Sequence, residues 1–267
     1  WTSRRCTTLV NKWLSRFYLA IMFLFLYAPI AVLIVFSFNE SKSSGKWTGF
    51  SLQWYEELFQ DSQMQTAVFY TVIVAVLATA ISTVVGTFTS IGIYKLTKKT
   101  KAFVLNINYL PVISPDIVLA VALMMLFKTF KMNFGFTTML LAHIMFCIPY
   151  VVLSVLPRLY AMNPNMAEAA MDLGATPMQA IRKVVIPEIM PGIMAGALMA
   201  FTMSIDDFVI SYFTAGNGVT NLSIEVYSMA KRGIRPTVNA LATIMVSLIL
   251  VSVLISNNLA IRKKKEV

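Results

Sequence analysis

Three carboxylates, Asp116, Asp206 and Asp207, stand in stretches that are otherwise apolar, Phe103–Phe127 and Pro191–Phe213. An ionised side chain at the centre of a bilayer-crossing helix costs roughly 2.5–3.5 kcal/mol on insertion scales, so each of the three needs a compensating partner. No Lys or Arg lies in the same stretches to supply one. A cationic solute in a wet passage would bring the missing charge, and a sulfate or phosphate would be repelled. On a continuous helix, Ser204 and Ser211 fall at i−3 and i+4 from Asp207 and form a polar stripe that suits a water-filled pathway. Asp206 points about 100° away from it, with Thr202 at i−4 and Ile210 and Phe213 nearby. That direction serves either the pathway or a neighbouring protein. The competing role for both acids is to hydrogen-bond adjacent helices and hold the fold. Trp54, with Trp47 and Tyr55, fits an aromatic belt at the membrane surface, or a wall on which an incoming cation stacks. Catalysis finds little to use. His143 is the sole histidine and reads as a hydrogen-bonded packing residue. No nucleophile–base set or metal-ligand cluster accompanies it, and Cys6 and Cys147 are too far apart in topology to pair.

The elements that must hold these acids follow from composition. Of 267 residues, 58% are hydrophobic and 13% charged, with a mean hydropathy of +0.73. That leaves too little polar surface for a soluble globule, so the chain belongs in a bilayer. Stretches at residues 17–38, 67–94, 103–127, 136–157, 191–213 and 236–261 each supply the roughly 20 residues that one helical crossing needs. The expected fold is an all-α membrane protein of six transmembrane helices in a single domain, 1–267. Pro111 and Pro115 must interrupt the third span just before Asp116 and free carbonyls at membrane depth, which is tolerated where they face protein or water. The 17 methionines fit helix packing without a cofactor.

A net charge of +10 would suggest nucleic acid in a soluble protein, but the placement of the charge excludes it here. Arg4, Arg5, Lys12 and Arg16, then Lys95, Lys98, Lys99 and Lys101, then Arg158, Arg182 and Lys183, and finally Arg262, Lys263, Lys264 and Lys265 all fall on one side of the six spans. The other side carries the smaller set from Lys42 to Arg235. The positive-inside rule therefore puts both termini in the cytoplasm, and the same residues can grip anionic membrane lipid. The first span is too long for a signal peptide and lacks an A-x-A site. The chain opens at Trp1, and a short native start ahead of it is expected.

Between spans four and five, residues 161–190 read as two short helices. Asn163 caps the first with Pro164 at its opening position, and Gly174 supplies the left-handed turn that ends it. Thr176, Pro177 and Gln179 then form a capping-box pattern for the second, and Pro187 stops the chain before the next span. A helix–turn–helix projecting into the cytoplasm suits docking in a groove of another protein.

Here the residues carry a resemblance. Glu168-Ala169-Ala170, three residues, Gly174, nine residues, then Val184-Val-Ile186-Pro187 resembles the EAA signature of bacterial ABC-importer permeases, with Val and Ile where that pattern usually has Ile and Leu. The resemblance implies a type I importer permease fold and a coupling helix that inserts into a nucleotide-binding subunit through Glu168, Ala169, Ala170, Gly174 and Pro187. Ile113-Ser-Pro-Asp-Ile-Val, Gly174-Ala, Phe201-Thr-Met-Ser-Ile-Asp-Asp-Phe-Val-Ile-Ser and Asn239-Ala-Leu-Ala-Thr narrow it to permeases similar to the PotC type of spermidine/putrescine importers. That implies a multi-pass protein of the bacterial plasma membrane in a heterodimer with a PotB-like permease. Two copies of a PotA-like ATPase and a PotD-like polyamine-binding protein would complete the assembly. The chain has no G-x-x-x-x-G-K-[ST] run, so ATP and Mg are expected in the separate ATPase, with no cofactor on this chain. The alternatives are a permease for another small cationic solute, or an ion-coupled secondary transporter, which would usually show repeat symmetry and would not need a docking loop.

Overall fold

The computed structural model describes residues 7–42, 46–232 and 236–247. Among them the chain is helical, and the sole β-type pairing is an isolated bridge between Asn39 and Phe50. The helices are α1 (Thr7–Phe36), α2 (Gln53–Gln60), α3 (Ser62–Lys95), α4 (Lys98–Ile113), α5 (Asp116–Thr129), α6 (Phe136–Ala161), α7 (Met166–Asp172), α8 (Pro177–Ala180), α9 (Ile186–Asp206), α10 (Val209–Thr214), α11 (Leu222–Arg232) and α12 (Pro236–Ser247). Four helical runs are long and apolar enough to cross a membrane: Leu14–Phe36, Ser62–Lys95, Phe136–Ala161 and Pro177–Asp206. The third expected span exists as α4 and α5, bent by 108° at Ser114–Pro115. A proline at 115 cannot donate to the α4 ladder, and it forces Ser114 into extended backbone (φ −77°, ψ 141°). The sixth span is helical over Pro236–Ser247, and the remainder of 236–261 lies outside the described residues.

Contacts group the chain into two units, residues 1–62 with 228–267, and residues 63–227. In the first unit α1 exposes apolar side chains along its described length, from Leu14 and Phe17 to Phe25 and Val35. A helix apolar all round is one suited to lipid or to packing against other helices. Beyond it, Asn39 organises a turn: its Nδ2 donates to the Lys46 carbonyl (2.8 Å) and its Oδ1 accepts from the Thr48 amide (2.9 Å).

The second unit is built around α6, which packs mainly against α9 and, with α5 and α10, buries Leu123, Phe146, Val151, Val155, Ile189 and Ile210. In lipid, helices gain little from the hydrophobic effect on one another and depend on close packing, so small residues mark their contacts. An added Cβ at Gly196 of α9 would lie 3.1 Å from the Val151 Cα, and one at Gly192 would lie 2.9 Å from the Ser154 carbonyl oxygen. These glycines let α9 lie against α6, and α9 carries the acids at its far end.

The loop before α9 departs from its sequence expectation in two places. Helix α7 begins at Met166 rather than beside Asn163, whose Oδ1 instead accepts from the Asn165 amide (3.0 Å) in a local turn. Pro187 does not stop the chain. Helix α8 runs through a single π-turn, Ile181–Val185, directly into α9, making one helix from Pro177 to Asp206. The widened turn lets the Ile186 amide reach back to the Ile181 carbonyl, so the missing Pro187 donor and its ring are accommodated without a break. The turn at Gly174 and the capping box agree with the structure. Gly174 is left-handed (φ +89°), the Ala175 amide bonds the Ala170 carbonyl (3.1 Å), and the Gly174 amide bonds that of Met171 (2.9 Å). Together these form a Schellman end to α7. Thr176 and Gln179 cap α8 reciprocally, at 2.9 and 3.3 Å.

Candidate functional site

Helices α4, α5, α6, α9 and α10 surround a cavity of about 330 Å³ whose wall carries Asp116, Asp206 and Asp207 together with Phe146, Tyr150 and Phe208. Lys and Arg are absent from that wall. The three acids singled out by sequence, 90 residues apart along the chain, thus share one space.

They are not equivalent. The chain leaves helical geometry at Asp207 (φ −63°, ψ 127°), so α9 ends at Asp206 and a short α10 begins at Val209. The continuous helix assumed for Ser204, Asp206, Asp207 and Ser211 is therefore replaced by a break, and the reason lies in the Asp207 carboxylate. Its oxygens accept from the amides of Ile210 (3.3 Å) and Ser211 (2.7 Å) and from the Ser211 hydroxyl (2.8 Å). Donors freed at the start of α10 thereby compensate the buried charge, so the compensation expected from a solute is in part internal. Asp207 is nearly covered, its side chain 10% exposed. Asp116 and Asp206 are exposed, and neither carboxylate accepts a hydrogen bond among the described residues. Asp116 opens α5, where the helix dipole favours a negative charge. The carbonyls expected beside it are partly taken: Leu110 accepts from both the amide (3.0 Å) and the hydroxyl (2.6 Å) of Ser114.

Ser204 and Trp54 stand elsewhere. Ser204 is buried, away from the cavity wall, with its Oγ 2.7 Å from Nδ1 of His143. Trp54 is 4% exposed and its indole N–H donates to the Asn39 carbonyl (2.6 Å), which ties α2 to the Asn39 turn. A covered ring of this kind offers no open face for a cation. His143 is hydrogen-bonded as its sequence setting suggested.

Two further residues were not singled out from sequence. Asn221 donates from Nδ2 to the Asp207 carbonyl (3.0 Å) and the Ser211 hydroxyl (2.7 Å), while its Oδ1 accepts the Ile224 amide (2.9 Å). The signal available was an Asn just ahead of α11, which identifies the cap but not its second task. Tyr150 projects into the acid cavity from α6, and nothing in the spacing of an isolated Tyr in an apolar span marks it.

The unequal wiring gives a testable difference. Asp207→Asn turns one acceptor oxygen into an NH2 group facing backbone amides, and should destabilise the purified protein by about 1–3 kcal/mol, read as a lowered thermal midpoint in detergent. Asp206→Asn, exposed and unbonded, should leave that midpoint at the parent value. Equal midpoints would contradict the structural role given to Asp207.

The sequence profile described as "Binding-protein-dependent transport system inner membrane component" matches residues 82–265. The spermidine/putrescine transport system permease protein PotC of Haemophilus influenzae is 40% identical over 248 residues, covering 91% of this chain and 96% of the relative. Its Escherichia coli K12 counterpart is 37% identical over 257 residues, covering 96% and 97%. The putrescine transport system permease protein PotI of Escherichia coli K12 is 37% identical over 231 residues, covering 84% and 82%. Among solved structures, a chain of a bacterial ABC transporter that imports alginate superposes with a TM-score of 0.72 at 19% identity, over 94% of this chain and 96% of that one, which shows a shared fold. The extent of the profile match and the near end-to-end identity place the chain, with its broken third span, acid cavity and EAA loop, in the family of binding-protein-dependent transport system inner membrane components: it is a membrane-spanning permease subunit of an ABC importer, not an enzyme.

Proposed function

We propose that this permease forms half of a translocation pathway for polyamines, with Asp116 and Asp206 receiving substrate ammonium groups. The observation that carries this reading is one cavity lined by three carboxylates and no Lys or Arg, two of the carboxylates free of hydrogen bonds among the described residues. Phe146, Tyr150 and Phe208 on the same wall suit the methylene runs of a linear polyamine and can face its ammonium groups. The PotC and PotI relatives, named for spermidine and putrescine, support the same substrate class.

Coupling follows from helix continuity. The EAA loop holds α7, the Gly174 turn and α8 together, and α8 continues through the π-turn into α9, whose last residue is Asp206. A partner ATPase that grips Glu168, Ala169 and Ala170 would act on one end of a rod whose other end carries a substrate carboxylate. In this reading the full transporter contains a PotB-like permease, two PotA-like ATPase subunits that hold ATP and Mg, and a PotD-like binding protein that delivers the substrate. Co-purification of these subunits with the tagged chain, and spermidine or putrescine uptake restored to cells lacking their own importers, test the assignment. A tagged chain that brings down no ATPase and restores no polyamine uptake would overturn it.

The reading also fixes orientation, with both termini, the 95–101 loop and the 161–190 loop in the cytoplasm. A single cysteine introduced at Asn217 should react with a membrane-impermeant maleimide added to intact cells, and one at Thr100 should react only after permeabilisation. Labelling at Thr100 in intact cells would reverse the topology.

A further inference from the structure

His143 of α6 is 1% exposed, and its ring joins the two sides of the break at Asp207. Nδ1 lies 2.7 Å from the hydroxyl of Ser204, before the break, and Nε2 lies 2.9 Å from the hydroxyl of Ser211, after it. Those two bonds and the width of one imidazole fall short of the roughly 10 Å that seven residues of straight helix occupy. One ring can hold both hydroxyls because the chain is broken between them.

Donor counting assigns the network. Ser211 spends its single proton on Asp207 Oδ2 (2.8 Å), so its oxygen accepts from Asn221 Nδ2 (2.7 Å) and from His143 Nε2. The imidazole therefore carries its proton on Nε2, and its Nδ1 accepts from Ser204, whose hydroxyl has no other acceptor among the described contacts. Every polar atom in the set is used, and the chain of bonds ends on a carboxylate that faces the cavity. Nε2 itself lies 3.6 Å from Asp207 Oδ2.

We propose that His143 is a positioning residue for substrate selection: by clamping Ser204 and Ser211 across the break it fixes where Asp207 presents its charge to the cavity. The proposal rests on the reading of that cavity as a polyamine site. Asp207 is the most deeply seated of the three acids, so its placement weighs most on a substrate long enough to engage all three. A triamine depends on His143 more than a diamine does.

The test uses the complete transporter, with its ATPase and binding protein, reconstituted in liposomes. Uptake of spermidine and of putrescine is measured per assembled complex for the parent, His143→Ala, His143→Gln, Ser204→Ala and Asp116→Asn. His143→Ala should lower spermidine uptake about tenfold, and should lower the spermidine-to-putrescine ratio about threefold or more. Gln can both accept and donate at this position and should recover to within about threefold of the parent. A role confined to packing would change the amount of assembled complex and leave both the per-complex rate and the ratio unmoved, which would overturn the proposal. If His143→Ala fails to assemble, Ser204→Ala decides. It removes the partner of Nδ1 and should shift the ratio in the same direction, and an unchanged ratio would overturn the proposal. Asp116→Asn, outside the network, separates the two ideas. Loss of uptake in Asp116→Asn with parent behaviour in the His143 variants refutes the positioning role alone. Parent uptake in Asp116→Asn refutes the charge reading on which it rests.

Discussion

Gly174→Val is expected to abolish transport while the protein remains inserted in the membrane. The Gly174 backbone is left-handed (φ +89°), where a β-branched residue is strained by about 1–3 kcal/mol. Space is not the obstacle, since an added Cβ would meet nothing within 4 Å. The strain falls instead on the two hydrogen bonds that close α7, from the amides of Gly174 and Ala175, and so on the angle between α7 and α8. Gly174 is exposed in the connection between α7 and α8, and an added side chain there displaces none of the α6–α9 packing, so folding of the spans should survive. A docking surface with the wrong shape would lose the partner ATPase. The expected result is parent-level protein in the membrane, ATPase recovered on purification reduced at least about tenfold, and no uptake above background. Gly174→Ala, without the β-branch, should fall between the two. Parent-level ATPase recovery and uptake in Gly174→Val would refute the coupling role.

The second large effect is expected from the cavity. Asp116 and Asp206 are exposed and their carboxylates accept no hydrogen bond among the described residues, so replacing both by Asn leaves no buried partner orphaned. Each charge-assisted hydrogen bond to a substrate ammonium is worth roughly 1.5–3 kcal/mol. Removing two should therefore lower polyamine uptake by roughly two orders of magnitude or more. Thermal stability and ATPase association should stay at the parent level, and this separates the double variant from Asp207→Asn, for which a stability loss is expected. Uptake within a factor of two or so of the parent, at equal protein, would show that these charges do not serve the substrate.

What the sequence made legible was set by how local the physics is. Long apolar stretches mark spans because a bilayer demands them, and Pro115 marks the bend of the third because no other residue removes a donor and fixes φ at once. The Gly174 turn and the Thr176–Gln179 box were readable for the same reason, each being determined within a few residues. The break at Asp207 was not, since neither Pro nor Gly flanks it. It arises from a carboxylate that caps the following turn, supported by His143 from 64 residues upstream and Asn221 from 14 downstream. Hindsight finds a hint in two adjacent aspartates within an apolar run, a residue type that favours caps over helix interiors. Pro187 misled in the opposite direction, because a π-turn absorbs it and periodicity does not report one in advance. Trp54 was assigned by residue type to a surface, whereas the Asn39 turn that buries it is built from contacts with residues 46–48.

The central claim is that this permease moves polyamines through a passage whose carboxylates hold the ammonium groups. The most direct test reconstitutes the chain with its partner permease, ATPase and binding protein in liposomes, and follows ATP-driven accumulation of radiolabelled spermidine with the parent and the Asp116→Asn, Asp206→Asn double variant. The account predicts accumulation with the parent that requires ATP and the binding protein. It predicts near-background accumulation with the double variant at equal assembled complex. Failure of the parent to accumulate spermidine or putrescine, or equal accumulation by the variant, would contradict it.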